Sequence, residues 1–170
     1  MCTKTNCFDF VLKLNKSSAR YQYFFKILLF LPKIISMIGR NIIVNAAREV
    51  GFDLVGIVPA EHLEQQYKLF NEWLLAGNSS TLDYLSRNIE KRFDAGLLVE
   101  GSRSVVVCAV SYLSPYSRGY SEDCRTKIAS YALNRDYHTT IKGMLEQLAS
   151  ALKRFEPELK YRSFVDSAPL

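Results

Sequence analysis

The run Val105-Val106-Val107-Cys108-Ala109-Val110 constrains the fold more than any other stretch of this 170-residue chain. All six residues are apolar and most are β-branched. Polar or amphipathic residues bound the run, Ser104 before it and Ser111-Tyr112 after it. A strand with one wet face alternates apolar and polar residues. An unbroken apolar run marks a strand covered on both faces. The remainder of the chain must therefore supply two covering layers, and it carries helices suited to the task. Ile141, Leu145, Leu148, Leu152 and Phe155 recur at intervals of four and three, and Pro157 closes the pattern. Ile42, Ile43, Ala46, Ala47 and Val50 follow helical spacing, with Gly51 where a helix stops. Between Glu61 and Ala76 a further helix is expected, with Leu63, Tyr67, Phe70, Trp73 and Leu74 on its apolar face, Trp73 in the core and Gly77 as terminator.

Two shorter strands complete the sheet: Leu54-Val55-Gly56-Ile57-Val58, ended by Pro59, and Tyr161 to Val165. Asn78 to Thr81 reads as a turn and Leu82 to Arg87 as a short helix. Asn88 to Arg92 is a charged loop that suits either a solvated face or an anion site. Leu113 to Cys124 is a long polar loop holding Pro115 and Gly119. The order α-β-α-α-β-α-β predicts an α/β fold, a helix-covered mixed sheet in a single domain over residues 41–170.

Charge separates residues 1–40 from that domain. Seven of the 22 basic residues and only Asp9 of the 17 acidic ones lie there, leaving 15 basic and 16 acidic residues for the rest. The net charge of +5 therefore belongs to the extension. The body is nearly neutral and carries no general signature of nucleic-acid binding. From Tyr21 to Ile38 the extension is largely apolar, but Lys26, Pro32 and Lys33 interrupt it. An integral membrane span of ~20 apolar residues is therefore not expected. The extension reads as poorly ordered or helical, with Met37 an alternative start. A basic amphipathic segment on a membrane surface is the competing reading.

Cys2, Cys7, Cys108 and Cys124 make no Cys-x-x-Cys pair and no metal-ligand cluster with a histidine. No metal site, iron–sulfur cluster or disulfide framework is expected from them. Cys108 reads as a small buried hydrophobe.

Chemistry concentrates instead in Ile128-Ala129-Ser130-Tyr131-Ala132-Leu133-Asn134-Arg135-Asp136-Tyr137-His138. Two aromatics, an Arg, an Asp and one of the chain's two histidines share this short turn. Such a group on a loop between rigid elements can form a binding site. It can equally be a helix-entry turn in which Asp136 caps and Tyr131 and Tyr137 pack inward.

Several stretches, in order, resemble a known family. They are Ala47 to Ile57, Tyr84-Leu85 through Glu90-Lys91-Arg92, Leu97 to Val105, Ile128 to Ala132, Arg135 to His138, and Phe164-Val165-Asp166-Ser167-Ala168-Pro169. Together they resemble the N-terminal cobalamin-binding domain of epoxyqueuosine reductase, over about residues 41–170. The resemblance implies the last step of queuosine formation in tRNA. There, reduced cobalamin removes an epoxide oxygen, with electrons from iron–sulfur clusters in a following ferredoxin-like module. It implies Asp166 as the proton donor and a contact to the cofactor. It also implies Tyr131, Arg135 and His138 lining the corrin or substrate pocket, and Arg92 meeting a cobalamin side chain or phosphate. A cytoplasmic monomer is the expected form.

This sequence departs from the family in lacking clustered cysteines, in stopping after the Asp166 motif, and in reading Asn78-Ser79-Ser80 after Gly77. It thus looks like the front half of the enzyme, with iron–sulfur clusters expected only downstream. The alternative function is a non-catalytic cobalamin- or tRNA-binding fragment.

Overall fold

The computed structural model describes residues 23–25, 29–32, 38–112, 128, 132 and 135–165. Strands β1 (Tyr23–Phe25) and β2 (Leu29–Pro32) come first. Helix α1 (Arg40–Val50), β3 (Leu54–Pro59) and α2 (Glu64–Leu75) follow. Then come a 3-10 turn at Asp83–Ser86, the short α3 (Ile89–Phe93) and a second 3-10 turn at Ala95–Leu97. Strand β4 (Ser102–Ser111) and α4 (Tyr137–Lys153) complete the described elements.

The apolar run forms the centre of β4, and β4 is the centre of the sheet. On one edge β3 pairs with it, Leu54 opposite Ala109 through Pro59 opposite Ser104. Residues 104–106 and Ala109 also pair with β2 and β1, so those two strands share the other edge. The described ladders are all antiparallel, in place of the mixed pairing expected. Residues 104–109 are buried throughout, as the unbroken pattern requires.

Alternation along β4 divides the core into two layers. Val106 and Cys108 face one way, against Ile43, Ala46 and Ala47 of α1 and Ile141, Leu145, Leu148, Ala149 and Leu152 of α4. Val105 and Val107 face the other way, against Val58 and Phe164, with Ala60, Ala95, Leu98 and Val99 at the margin. Thus helices cover one face and a connection of short turns the other.

Helix α1 ends as its sequence dictates. Gly51 takes φ +108°, and its N–H donates to the carbonyl of Arg48 while that of Phe52 donates to Ala47. This is a Schellman closure, and the buried Phe52 supplies the apolar contact that accompanies it. Asp53 then ties helix to sheet, its N–H donating to the Ala109 carbonyl and its carboxylate accepting the Ser111 N–H at 2.7 Å.

Ile38, three residues before Asn41, is fully buried in the helical layer. Several expectations need correction. Residues 23–25 and 29–32 of the extension form strands, since the second edge of β4 offers unpaired backbone groups that a neighbouring segment satisfies. Trp73 is not core: α2 buries no residue, and Trp73 is 39% exposed. Its ring stacks on Phe70, which meets Phe93 of α3, so the apolar face covers a small neighbouring helix rather than the sheet. Asn88 to Arg92 is not loop, because α3 begins at Ile89. Finally, Phe155 lies beyond the end of α4 and is exposed.

Residues 161–165 form no ladder with the described strands. Both edges of β4 at residues 104–106 are already taken. Yet their side chains alternate as in a strand: Tyr161 and Val165 pack on the helical layer, Phe164 on the opposite one. The loop expected over 113–124 lies outside the described residues.

Candidate functional site

The polar turn leads directly into α4. Asp136 is the N-cap of that helix, and its carboxylate gathers most of the local hydrogen bonds. Oδ1 accepts the His138 backbone N–H at 3.1 Å, and Oδ2 accepts the Thr139 N–H at 3.4 Å. The Thr139 hydroxyl donates to Oδ2 at 2.9 Å, and that of Thr140 to the Asp136 carbonyl at 3.0 Å. As acceptor, the Asp136 carboxylate satisfies N–H groups that a helix start leaves open. The Thr139 hydroxyl, followed by His138, holds the Asp136 carboxyl below its ordinary range.

The same carboxylate orients a histidine. Asp136 Oδ1 lies 3.1 Å from His138 Nδ1. An ionised carboxylate only accepts, so Nδ1 carries the proton and Nε2 is the basic nitrogen of the neutral ring. The Tyr137 ring lies against His138 with centroids 4.0 Å apart, at an interplanar angle of 30°. Arg135 is exposed one residue before the cap. The structure shows the helix-entry cap: Asp136 caps α4 and orients His138, whose ring lies against Tyr137.

Arg92 belongs to a different corner. It lies in the last turn of α3 and reaches back over the preceding connection. Its Nη2 donates to the Tyr84 carbonyl at 3.0 Å, and its Nε points at the Arg87 carbonyl at 3.5 Å. Among the described residues it meets no carboxylate. Tyr67 of α2 donates to Glu90 at 2.6 Å and meets Phe93 edge-on, so this corner is held to α2.

The segment that leads to Asp166 is anchored by a residue that no local sequence pattern singles out. Glu146 of α4 accepts the Tyr161 hydroxyl at 2.6 Å and the Ser163 hydroxyl at 2.7 Å. The Tyr161 hydroxyl and then that of Ser163 hold the Glu146 carboxyl below its ordinary range, and Glu146 in turn pushes the Tyr161 phenol up. Two hydroxyl residues spaced two apart in an extended segment were the available signal. Their partner lies 15 and 17 positions away, beyond the reach of local pattern. Asp166 and Tyr131 themselves lie outside the described residues.

Cys108 is buried, and burial pushes its thiol up to about 12, which makes it an inert core residue. Among the described residues no three His, Cys, Asp or Glu side chains are grouped to hold a metal. No helix among them is long and apolar enough to cross a membrane.

Fold and site together define an α/β domain with a polar, histidine-bearing turn at the start of its main helix. The family described as "Epoxyqueuosine reductase QueG, DUF1730" matches residues 92–167. Through this domain the chain is similar to the epoxyqueuosine reductase family. It is 36% identical over 130 residues to an epoxyqueuosine reductase of Cyclobacterium marinum, covering 76% of this chain and 42% of that protein. It is 33% identical over 133 residues to one from Vibrio cholerae, covering 76% of this chain and 36% of the relative. A solved epoxyqueuosine reductase from Streptococcus thermophilus has the same fold, with a TM-score of 0.64 at 24% identity. That likeness covers 75% of this chain and 35% of the solved one. The chain thus spans well under half the length of these relatives.

Proposed function

We propose that this chain is the cobalamin-holding domain of an epoxyqueuosine reductase, an oxidoreductase that converts epoxyqueuosine to queuosine in tRNA. The observation that carries the reading is the family match over residues 92–167. All five candidate residues, Arg92, Tyr131, Arg135, His138 and Asp166, fall inside it. The relatives' names support the reaction; a cytoplasmic setting is proposed with it, because tRNA would be its substrate.

The donor chemistry of the described residues suits the cofactor. Cobalamin carries amide side chains and a phosphate. A guanidinium offers a rigid fork of donors to such oxygens. Arg92 is held by two backbone carbonyls and keeps further N–H groups. Arg135 stands exposed at the turn. Asp136 fixes the His138 tautomer, so this ring offers a defined acceptor or, when protonated, a second donor.

Bound and reduced, cobalamin would supply the electron pair that deoxygenation consumes. The protein's part is to orient the reactants and to deliver a proton to the departing epoxide oxygen. Asp166 is the residue for that transfer. A free Asp, with a pKa of about 3.9, is ionised at neutral pH, so Asp166 must work in a setting that raises it. Phe164, buried in one layer, and Val165, packed on the other, precede it in the chain.

Titrating hydroxocobalamin with the full chain, followed by corrin absorbance, tests the reading. Weak but saturable binding is expected, because the walls of a ligand site normally bury most of its surface and this chain spans well under half of its relatives. Arg135→Ala and His138→Ala should weaken it further. No spectral change at any accessible protein concentration would reject the proposal, as would equal binding by both variants and the parent.

A further inference from the structure

We infer that Glu146 is a positioning residue: its carboxylate clamps the extended segment 161–165 and so sets the point from which the chain enters Asp166. The role in the reaction rests on the function proposed above; the clamp itself rests on geometry alone. Segment 161–165 forms no ladder with the described strands, so backbone hydrogen bonds to them do not set its register. Side chains hold it instead. Leu159 and Phe164 are buried in opposite layers, which fixes the direction of the segment. Glu146 fixes its position along α4, because its two oxygens take hydroxyls two residues apart at 2.6 and 2.7 Å.

Both contacts are short and charge-assisted, and such bonds are about twice as strong as neutral ones. A carboxylate that accepts two donors defines position more sharply than a single contact, since sliding the segment by one residue would break both. Around the clamp, Lys153 lies over the Tyr161 ring at 5.2 Å, and Lys142 and Lys153 add positive charge beside Glu146. On the opposite side, Arg162 covers the Phe164 ring at 4.8 Å. Asp166 begins one Cα–Cα step, about 3.8 Å, beyond Val165.

Amide exchange on the full chain, read by NMR, tests this. In Glu146→Ala, amides of residues 160–165 should exchange at least ~10-fold faster while those of residues 104–109 and 144–152 keep their rates, as expected of a local opening. Glu146→Gln should fall between parent and Ala, since its carbonyl still accepts one hydroxyl. Tyr161→Phe with Ser163→Ala should match Glu146→Ala, and adding Glu146→Ala to that pair should change nothing more. A positioning role also predicts that the Asp166 carboxyl titrates at a different midpoint in Glu146→Ala. Leu152→Val, a core change on the same helix, should leave that midpoint where it is.

Unchanged exchange at 160–165, or an unmoved Asp166 midpoint, would overturn the inference. The same samples are titrated with hydroxocobalamin. Failure of the parent chain to bind it would reject the proposed function, whereas cobalamin binding with unchanged exchange in Glu146→Ala would reject the clamp.

Discussion

One oxygen of Asp136 serves two atoms of His138: Oδ1 lies 3.1 Å from its backbone nitrogen and 3.1 Å from its ring Nδ1. Helix capping and imidazole orientation are therefore a single structural event. Asp136→Ala should lower the thermal midpoint by a few degrees and also release the His138 ring. Asp136→Asn keeps a capping side chain and should recover most of the midpoint. The ring is the more telling readout, since nitrogen NMR reports the Nδ1–H tautomer directly. A parent-like tautomer in Asp136→Ala would refute the orienting role. The capping contribution also has a pH sign. The Asp136 carboxyl is held below its ordinary value of 3.8, so its stabilisation is present above that pH and is lost as pH falls through the depressed value.

The pair Glu146 and Tyr161 sets stability limits at both ends of the pH range. Glu146 is depressed below 4.5, chiefly by the Tyr161 hydroxyl, so its contribution is present above 4.5 and disappears as pH falls through the lower folded value. Tyr161 is raised above 10, chiefly by Glu146, so its neutral form contributes below 10 and that contribution is lost as pH rises through the higher folded value. Tyr161→Phe should abolish the alkaline limb and shrink the acid one. Urea midpoints measured from acid to alkaline pH check this. Identical profiles for Tyr161→Phe and parent would show that the pair is not linked to folding.

Gly51→Ala isolates a backbone effect. A Cβ there would lie 3.6 Å from the Met144 methyl carbon, an ordinary contact, so space is not the problem. The φ of +108° is, because an L-residue is disfavoured there by about 1–2 kcal/mol. Urea unfolding of Gly51→Ala should show a loss of that size with an unchanged slope. No loss would mean that the Schellman closure rearranges freely.

How much of this was legible in the sequence depends on where the deciding interaction lies. The unbroken run Val105 to Val110 announced a strand covered on two faces, and Ile141, Leu145, Leu148 and Leu152 announced the helix that covers one of them. Both patterns are local and periodic. Asp136 as a cap was legible for the same reason, since a cap acts within three residues. Trp73 was misread because an apolar helix face says that a partner exists and not how large it is; here the partner is Phe93 of a five-residue helix. The strands at 23–25 and 29–32 were hidden by the basic, uneven composition around them, and their pairing depends on a sheet edge some eighty residues away in sequence. Residues 161–165 kept the alternation of a strand without a described ladder, which depends on which edges are already occupied. Glu146 was invisible because its partners meet it only after the chain turns back beyond Pro157.

Helices α4 and α2 differ enough in burial to be told apart by truncation. Leu145 is fully buried between α1 and β4, and its removal leaves a cavity, so Leu145→Ala should destabilise by about 2–5 kcal/mol. Leu75 is 87% exposed at the end of α2, and Leu75→Ala should stay within about 0.5 kcal/mol of the parent. Chemical denaturation of both variants separates these outcomes. Equal losses would mean that α2 is packed more tightly than its exposure shows.

The last prediction concerns Asp166 as proton donor. Its test uses an active chimaera in which the full chain replaces the corresponding part of the Cyclobacterium marinum relative. Asp166→Asn keeps the shape of the side chain and much of its capping ability but removes the acid. Ser167-Ala168-Pro169 follows it, and Pro is tolerated in a first helical turn, so a capping role for Asp166 is the competing account. The two accounts separate by what Asn preserves. A general acid contributes roughly 100-fold or more, so turnover should fall by at least that factor while folding and cobalamin binding persist. A cap is served by Asn nearly as well as by Asp, and it predicts near-parent turnover with little change in stability. Measuring epoxyqueuosine conversion alongside the thermal midpoint of the same variant decides between them. Parent-like turnover in Asp166→Asn would remove Asp166 from the chemistry and leave it as the cap.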